Sequence, residues 1–184
     1  MGKQIAWNEI DNTAAEILEA SDIIWDCAET AFLETKSMKV LCDLLRKEGF
    51  EVEEGIADVP TAFKGTFGSG KPVIGFLGEY DALSGISQVA GCVEKKPLVE
   101  GANGHGCGHN LLGAGSIGAA IAMKEYLEKN GKEGTVVFFG CPGNHLFNIL
   151  GLTQTEHMTA NGAAIFDAAI GFILAAVHQK PFSV

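Results

Sequence analysis

Two short, uninterrupted apolar runs, Val73-Ile74-Gly75-Phe76-Leu77 and Thr135 to Phe139, flank one long segment that is rich in small residues. Runs of that length and continuity suit strands buried on both faces. Between them the spacing predicts a helix over 111–129, closed by Asn130-Gly131, whose first half is crowded with Gly, Ala and Ser. Small side chains let a helix backbone lie close against a sheet. Upstream, Ile17, Leu18, Ile24, Trp25 and Ala28 recur near helical spacing and predict an amphipathic helix over 13–34. Met38, Leu41, Cys42 and Leu45 predict a second helix, with Gly49 as its left-handed cap. Residues 50–53 and 61–67 read as strands, the latter ahead of the turn Gly68-Ser69-Gly70-Lys71-Pro72. This order predicts an α/β fold, a three-layer sandwich with a mixed sheet, in which ligands collect at the carboxyl ends of the strands.

A length of 184 residues with 47% hydrophobic and 20% charged side chains suits one globular domain with a real core. The formal net charge of -10 repels phosphate backbones and anionic lipid, so nucleic acid is excluded as a natural partner. The apolar stretch Ala163 to Val177 is broken by Asp167 and is shorter than a membrane span requires, which argues against a membrane partner. Five cysteines, odd in number and widely spaced, fit a reducing compartment, and no signal peptide is evident in MGKQIAWNEI. A cytoplasmic location is expected.

Two stretches at strand ends carry candidate chemistry. In Gly78-Glu79-Tyr80-Asp81, two acids spaced i, i+2 follow a buried strand and can face one side, although two acids in a loop also make an ordinary solvated turn. In Gly104-His105-Gly106-Cys107-Gly108-His109-Asn110, a cysteine and a histidine at i, i+2 between glycines can fold back onto one ion. Zinc, manganese or nickel suits such ligands, and the thiolate favours zinc. A tight glycine turn with a buried cysteine and a helix-capping histidine accounts for the same residues equally well.

Read together, VIGFLGEYDALSGISQVAG (73–91), GANGHGCGHNLLGAGSIGAAIAMKEY (101–126) and GTVVFFGCPG (134–143) resemble the metal-dependent amidohydrolase and metallopeptidase family that includes aminobenzoyl-glutamate, hippurate and auxin-conjugate hydrolases. Asn110-Leu111-Leu112-Gly113 resembles the aminobenzoyl-glutamate branch in particular. The resemblance spans most of residues 13–143 and implies a zinc-exopeptidase-like catalytic domain of which this chain is the N-terminal part. It implies a divalent metal, zinc or manganese, held by Cys107 and His109, with Asp81 in the acidic position beside it. Glu79, His105 and Asn110 are candidate substrate contacts; Glu79 stands where other branches have a ligand histidine or an aspartate, and His105 can equally orient a ligand or be a plain turn residue. The implied reaction is hydrolysis of an amide in an N-acyl amino acid or dipeptide-like substrate.

The pattern breaks after Cys141-Pro142-Gly143. Where the family carries two glutamates, one the general base and one a ligand, this chain has Asn144 and His145. An asparagine amide has no basic lone pair at neutral pH, so Asn144 cannot serve as the base. His145 can in principle fill a ligand position. Residues 144–160 depart from the family altogether, and Glu156 and His157 there read as a solvated loop. Residues 163–184 loosely resemble the approach to another ligand histidine, making His178 a candidate. The resemblance implies homodimers formed through an inserted domain, which this chain is expected to lack. The expectation is therefore a chain that binds metal and hydrolyses weakly or not at all. Two alternatives are a non-catalytic module completed by a partner chain and a protein whose Cys107 is a reactive thiol.

Overall fold

The computed structural model describes residues 2–143. The elements are α1 (Gly2–Cys27), α2 (Thr35–Lys47), β1 (Glu51–Glu54), a single 3-10 turn (Ile56–Asp58), β2 (Phe63–Ser69), β3 (Val73–Glu79), α3 (His109–Lys129) and β4 (Gly134–Cys141). The sheet order is β1-β2-β4-β3, with β2 antiparallel to both β1 and β4 and β3 parallel to β4. The β3-α3-β4 crossover is the parallel unit that the two apolar runs and the small-residue helix predict, and the sheet is mixed as expected.

Close approach of α3 to the sheet is built from glycines. A Cβ on Gly78 of β3 would come 2.6 Å from the Phe138 ring and 3.2 Å from the Cα of Gly113 in α3. On the same face, Gly65 of β2 meets Leu45 of α2. Helices α2 and α3 therefore reach the same side of the sheet, and the core between them holds Leu41, Leu45, Phe63, Ile117, Ile121, Val136 and Phe138. Helix α1 joins that core through Ala20 and Ile24.

Helix α1 differs from its expected span, beginning earlier and ending at Cys27 rather than near residue 34. The reason is tertiary. Ala28 adopts a positive φ of 43°, Glu29 O accepts a hydrogen bond from Ala82 N at 2.7 Å, and Thr30 bridges Ala82. The segment after Cys27 is pulled out of helix to line the end of β3. The inward face also differs from expectation: Ile24 is fully buried, whereas Leu18 is 58% exposed.

Helix α2 starts at Thr35 without a local side-chain cap. Its cap comes from Glu29, whose Oε2 accepts from Lys36 N at 3.0 Å, Ser37 N at 2.9 Å and Ser37 Oγ at 2.9 Å. A carboxylate on the first free N–H groups meets both the unsatisfied donors and the positive end of the helix dipole. Glu29→Ala should accordingly cost about 1–2 kcal/mol, read as a lower urea midpoint; an unchanged midpoint would show that water replaces the carboxylate without loss.

Candidate metal centre at the strand ends

The site forms where β3, β4 and α3 meet. Glu79 is the last residue of β3, and Asp81 follows one residue beyond the buried Tyr80, whose hydroxyl donates to Thr61 O. Helix α3 opens on His109, preceded by Gly108 at φ 76°. That left-handed turn is cheap only for glycine and swings the imidazole back toward the strand ends. Glu79 and Asp81 are 4% and 1% exposed, so neither is a solvated turn residue.

The imidazole bridges the two carboxylates. His109 Nδ1 lies 2.7 Å from Asp81 Oδ1, and His109 Nε2 lies 3.2 Å from Glu79 Oε2. Asp81 Oδ1 also accepts from the Gly143 N–H at 2.8 Å, which ties the end of β3 to the end of β4. Burial alone would raise the Asp81 carboxyl, but the hydrogen bonds from His109 and Gly143 outweigh it and hold Asp81 below the usual range. The hydrogen bond to Asp81 raises His109 against the opposing effect of burial, and the charges of Asp81 and Glu79 add to the rise. Burial raises Glu79, with the His109 charge working the other way.

The remaining atoms of this cluster suit a cation. Glu79 Oε1 and Asp81 Oδ2 are buried and accept no hydrogen bond from the described residues. Orphaned carboxylate oxygens in low dielectric are costly unless a positive charge is close. With Nδ1–H donated to Asp81, the Nε2 lone pair of neutral His109 faces the Glu79 carboxylate. Two electron-rich groups at that separation are compatible with one divalent ion or with a proton. The donors, oxygen and imidazole nitrogen, are those of zinc or manganese. Among the described residues, no group of three or more His, Cys, Asp or Glu side chains is set out to hold a metal ion by itself, so His109 and Glu79 require further donors.

The other sequence candidates have different surroundings. Cys107 is exposed on the loop ahead of α3. His105 is buried, with Nε2 3.0 Å from Ile24 O and its ring stacked on Trp25 at 6.2 Å. A carbonyl only accepts, so Nε2 carries the proton there. Burial lowers the His105 pKa, and Nδ1 has no partner among the described residues. The Asn110 amide donates to Ser21 Oγ at 3.0 Å and so fastens α3 to α1. Asn144, His145, Glu156, His157 and His178 lie outside the described residues. Sequence reasoning missed Gly143, whose backbone N–H completes Asp81; a main-chain donor carries no side-chain signal. It also missed Glu34, an acid whose side chain is fully buried.

No protein-family model matches the chain. Among curated proteins it is 52% identical over 125 residues to a subunit of the p-aminobenzoyl-glutamate hydrolase of Escherichia coli K12, covering 68% of this chain and 26% of that protein. It is 29% identical over 132 residues to human Xaa-Arg dipeptidase, covering 65% of this chain and 26% of the relative. Thermostable carboxypeptidase 2 of Saccharolobus solfataricus is 31% identical over 118 residues, covering 63% of this chain and 29% of the relative. The chain thus spans between 26% and 29% of the length of these relatives. A solved structure described as an aminohydrolase of methicillin-resistant Staphylococcus aureus matches with a TM-score of 0.61 at 24% identity, over 77% of this chain and 35% of that one. A dinuclear metal-binding peptidase of the M20 family from Bacillus subtilis matches with a TM-score of 0.54 at 24% identity, over 71% of this chain and 36% of that one. At this identity the two structures speak to the fold alone. By sequence and by fold, the chain belongs to the amidohydrolase and metallopeptidase family that includes p-aminobenzoyl-glutamate hydrolase.

Proposed function

We propose that the chain is part of a divalent-metal-dependent amidohydrolase acting on an N-acyl amino acid, such as aminobenzoyl-glutamate, or on a dipeptide-like amide. The observation that carries this reading is the His109 imidazole set between Asp81 and Glu79 at the strand ends. Asp81, acting as acceptor for Nδ1–H, fixes the tautomer and ring orientation of His109, the role an outer carboxylate plays toward a ligand histidine. His109 Nε2 and Glu79 would hold the metal, zinc or manganese, with Cys107 and a residue beyond Gly143 as the further donors. When bound, the metal supplies Lewis acidity to the scissile carbonyl and the attacking water. Burial of Glu79 and Asp81 excludes bulk water from the site and strengthens every charge interaction within it.

Proton transfer from the attacking water needs a basic group at the position of Asn144, and an amide is not one. We therefore assign the chain metal binding with weak or no hydrolysis. All five cysteines are free thiols, which supports a reducing, cytoplasmic setting. The Escherichia coli relative is named as one subunit of its enzyme. That name, together with the position of β3 at the edge of the sheet among the described residues, supports a second reading in which a partner chain completes the site. No helix among the described residues is long and apolar enough to cross a membrane.

Titration of the purified chain with Zn2+ or Mn2+ in a calorimeter tests the reading. Binding with release of a proton is expected, because His109 and Cys107 must be deprotonated to ligate. In parallel, bound metal should slow alkylation of Cys107 at least about tenfold, as coordination ties up the reactive thiolate. Absence of any heat of binding would remove the metal centre, whereas binding with undiminished alkylation would remove only Cys107 from it.

A further inference from the structure

A cleft of about 310 Å³ opens between the end of α1 and the loop of residues 84–104. Its lining combines the apolar Trp25, Leu98 and Val99 with the polar Asp26, Ser87 and Asn103. The Trp25 ring is held in place by its stack on His105. Leu98 and Val99 are 63% and 64% exposed at the rim, apolar surface that a bound ring would cover. The volume sits at the small end of the range for ligand pockets, about 300 Å³ upward, and suits one ring with a head group.

The polar groups left over in this cleft select the head group. Gln88 is spent on its own loop, donating to Glu94 O and accepting from Lys96 N. The Asn103 amide nitrogen donates to Ala28 O at 3.1 Å, which leaves Oδ1 to accept. Ser87 Oγ accepts from Val99 N and keeps its own proton to donate. Among the described residues, no lysine or arginine lines the cleft, and Asp26 adds a negative charge. The cleft therefore favours a ligand that donates hydrogen bonds from an aromatic body and disfavours an anion. It is also linked to the site: Gly104 lines it, pairs with Leu83 two residues beyond Asp81, and begins the loop that delivers His109, and His105, stacked on Trp25, feels the charges of Asp81 and His109.

We propose that this cleft is the subsite for an aromatic amine, the aminobenzoyl end of the substrate. The assignment rests on the hydrolase reading for its physiological meaning, but binding in the cleft needs neither metal nor hydrolysis. The ring lies between Trp25 and the Leu98-Val99 rim, the amine donates to Asn103 Oδ1 and Asp26, and the acyl carbon points along the loop toward His109.

The test uses 4-aminobenzamide, which carries the aminobenzoyl group without glutamate, added to the full metal-free chain. The indole N–H signals of Trp25 and Trp7 are followed by nuclear magnetic resonance. A saturable shift of Trp25, with Trp7 as the distant control, is expected. Benzamide, lacking the amine, should bind about tenfold more weakly, the worth of one hydrogen bond. Val99→Arg, an exposed rim change that leaves the core untouched, should abolish the shift; Asn103→Leu should erase the preference for the amine. A Trp25 signal that does not respond, equal binding of the two probes, or full binding by Val99→Arg would each overturn the assignment. Loss of metal binding with this shift intact would sink the hydrolase reading alone.

Discussion

His109→Ala is expected to lower the affinity of the chain for Zn2+ or Mn2+ by at least about a hundredfold in calorimetric titration. A change that large follows from removing a ligand and its positioning at once, since loss of an outer partner by itself costs roughly 10- to 100-fold. The imidazole also supplies the donor to Asp81 Oδ1 and, in its protonated form, the positive charge facing Glu79. Its removal leaves two buried carboxylates beside each other, and breaking a buried pair typically costs roughly 3–5 kcal/mol. The variant should therefore unfold earlier as well as bind less. Asp81→Asn separates the two roles: with the ligand retained but its orientation weakened, the affinity loss should fall between about 10- and 100-fold. Unchanged affinity in His109→Ala would show that any bound cation sits elsewhere.

The second large effect concerns Glu34. Burial pushes its carboxyl from 4.5 to about 7, with the Asp81 charge adding to the rise. Among the described residues its surroundings hold no compensating cation: Tyr80, Cys141 and Asp81 all feel its charge, and the Thr61 hydroxyl and the Phe32 backbone beside it offset burial only in part. The sign follows from linkage. Below about pH 4.5 the group is protonated in both folded and unfolded chains, so its contribution to stability is fully present. As pH rises from there to about 7, the unfolded chain ionises first and stability is lost, levelling off above the folded value. A gap of this size corresponds to about 3 kcal/mol. Glu34→Gln keeps the shape and removes the titration, so the variant should lose less stability than the parent between about pH 5 and pH 8 in urea unfolding. His109 contributes a fall in the same direction in both proteins, and the comparison cancels it. Parallel curves for parent and variant would mean that Glu34 is ionised in the folded chain throughout.

Within the site, the approach of Gly143 is the tightest constraint on side-chain size. A Cβ there would lie 2.4 Å from Asp81 Oδ1 and 2.6 Å from His109 Cε1. That packing explains why the strand-end turn after β4 carries glycine.

Much of the fold was legible in local pattern. The runs 73–77 and 135–139, the small-residue helix between them and the cap at Gly49 all depend on spacing and side-chain size within a few residues, and the structure places β3, α3, β4 and α2 accordingly. What the spacing of α1 could not convey is that residues 28–30 would leave the helix to pair with Ala82, because that pairing joins positions far apart in the chain. The cap of α2 was hidden for a related reason: Glu29 reaches it across a turn, outside any contiguous capping motif.

For the site the division is similar. Chain order alone singled out Glu79, Asp81, Cys107 and His109, since acids after a buried strand and a glycine-flanked histidine before a helix are local features with a chemical meaning. Only the tertiary structure decided that His109 would sit between both acids, that Asp81 would be completed by a backbone N–H from the end of β4, and that His105 would turn inward onto Ile24 and Trp25. Those outcomes depend on which strand ends the sheet brings side by side, and on burial, which converts ordinary acids into groups whose charge must be matched. A linear chain names the groups that can react; packing sets the dielectric and the neighbours that determine what each one does.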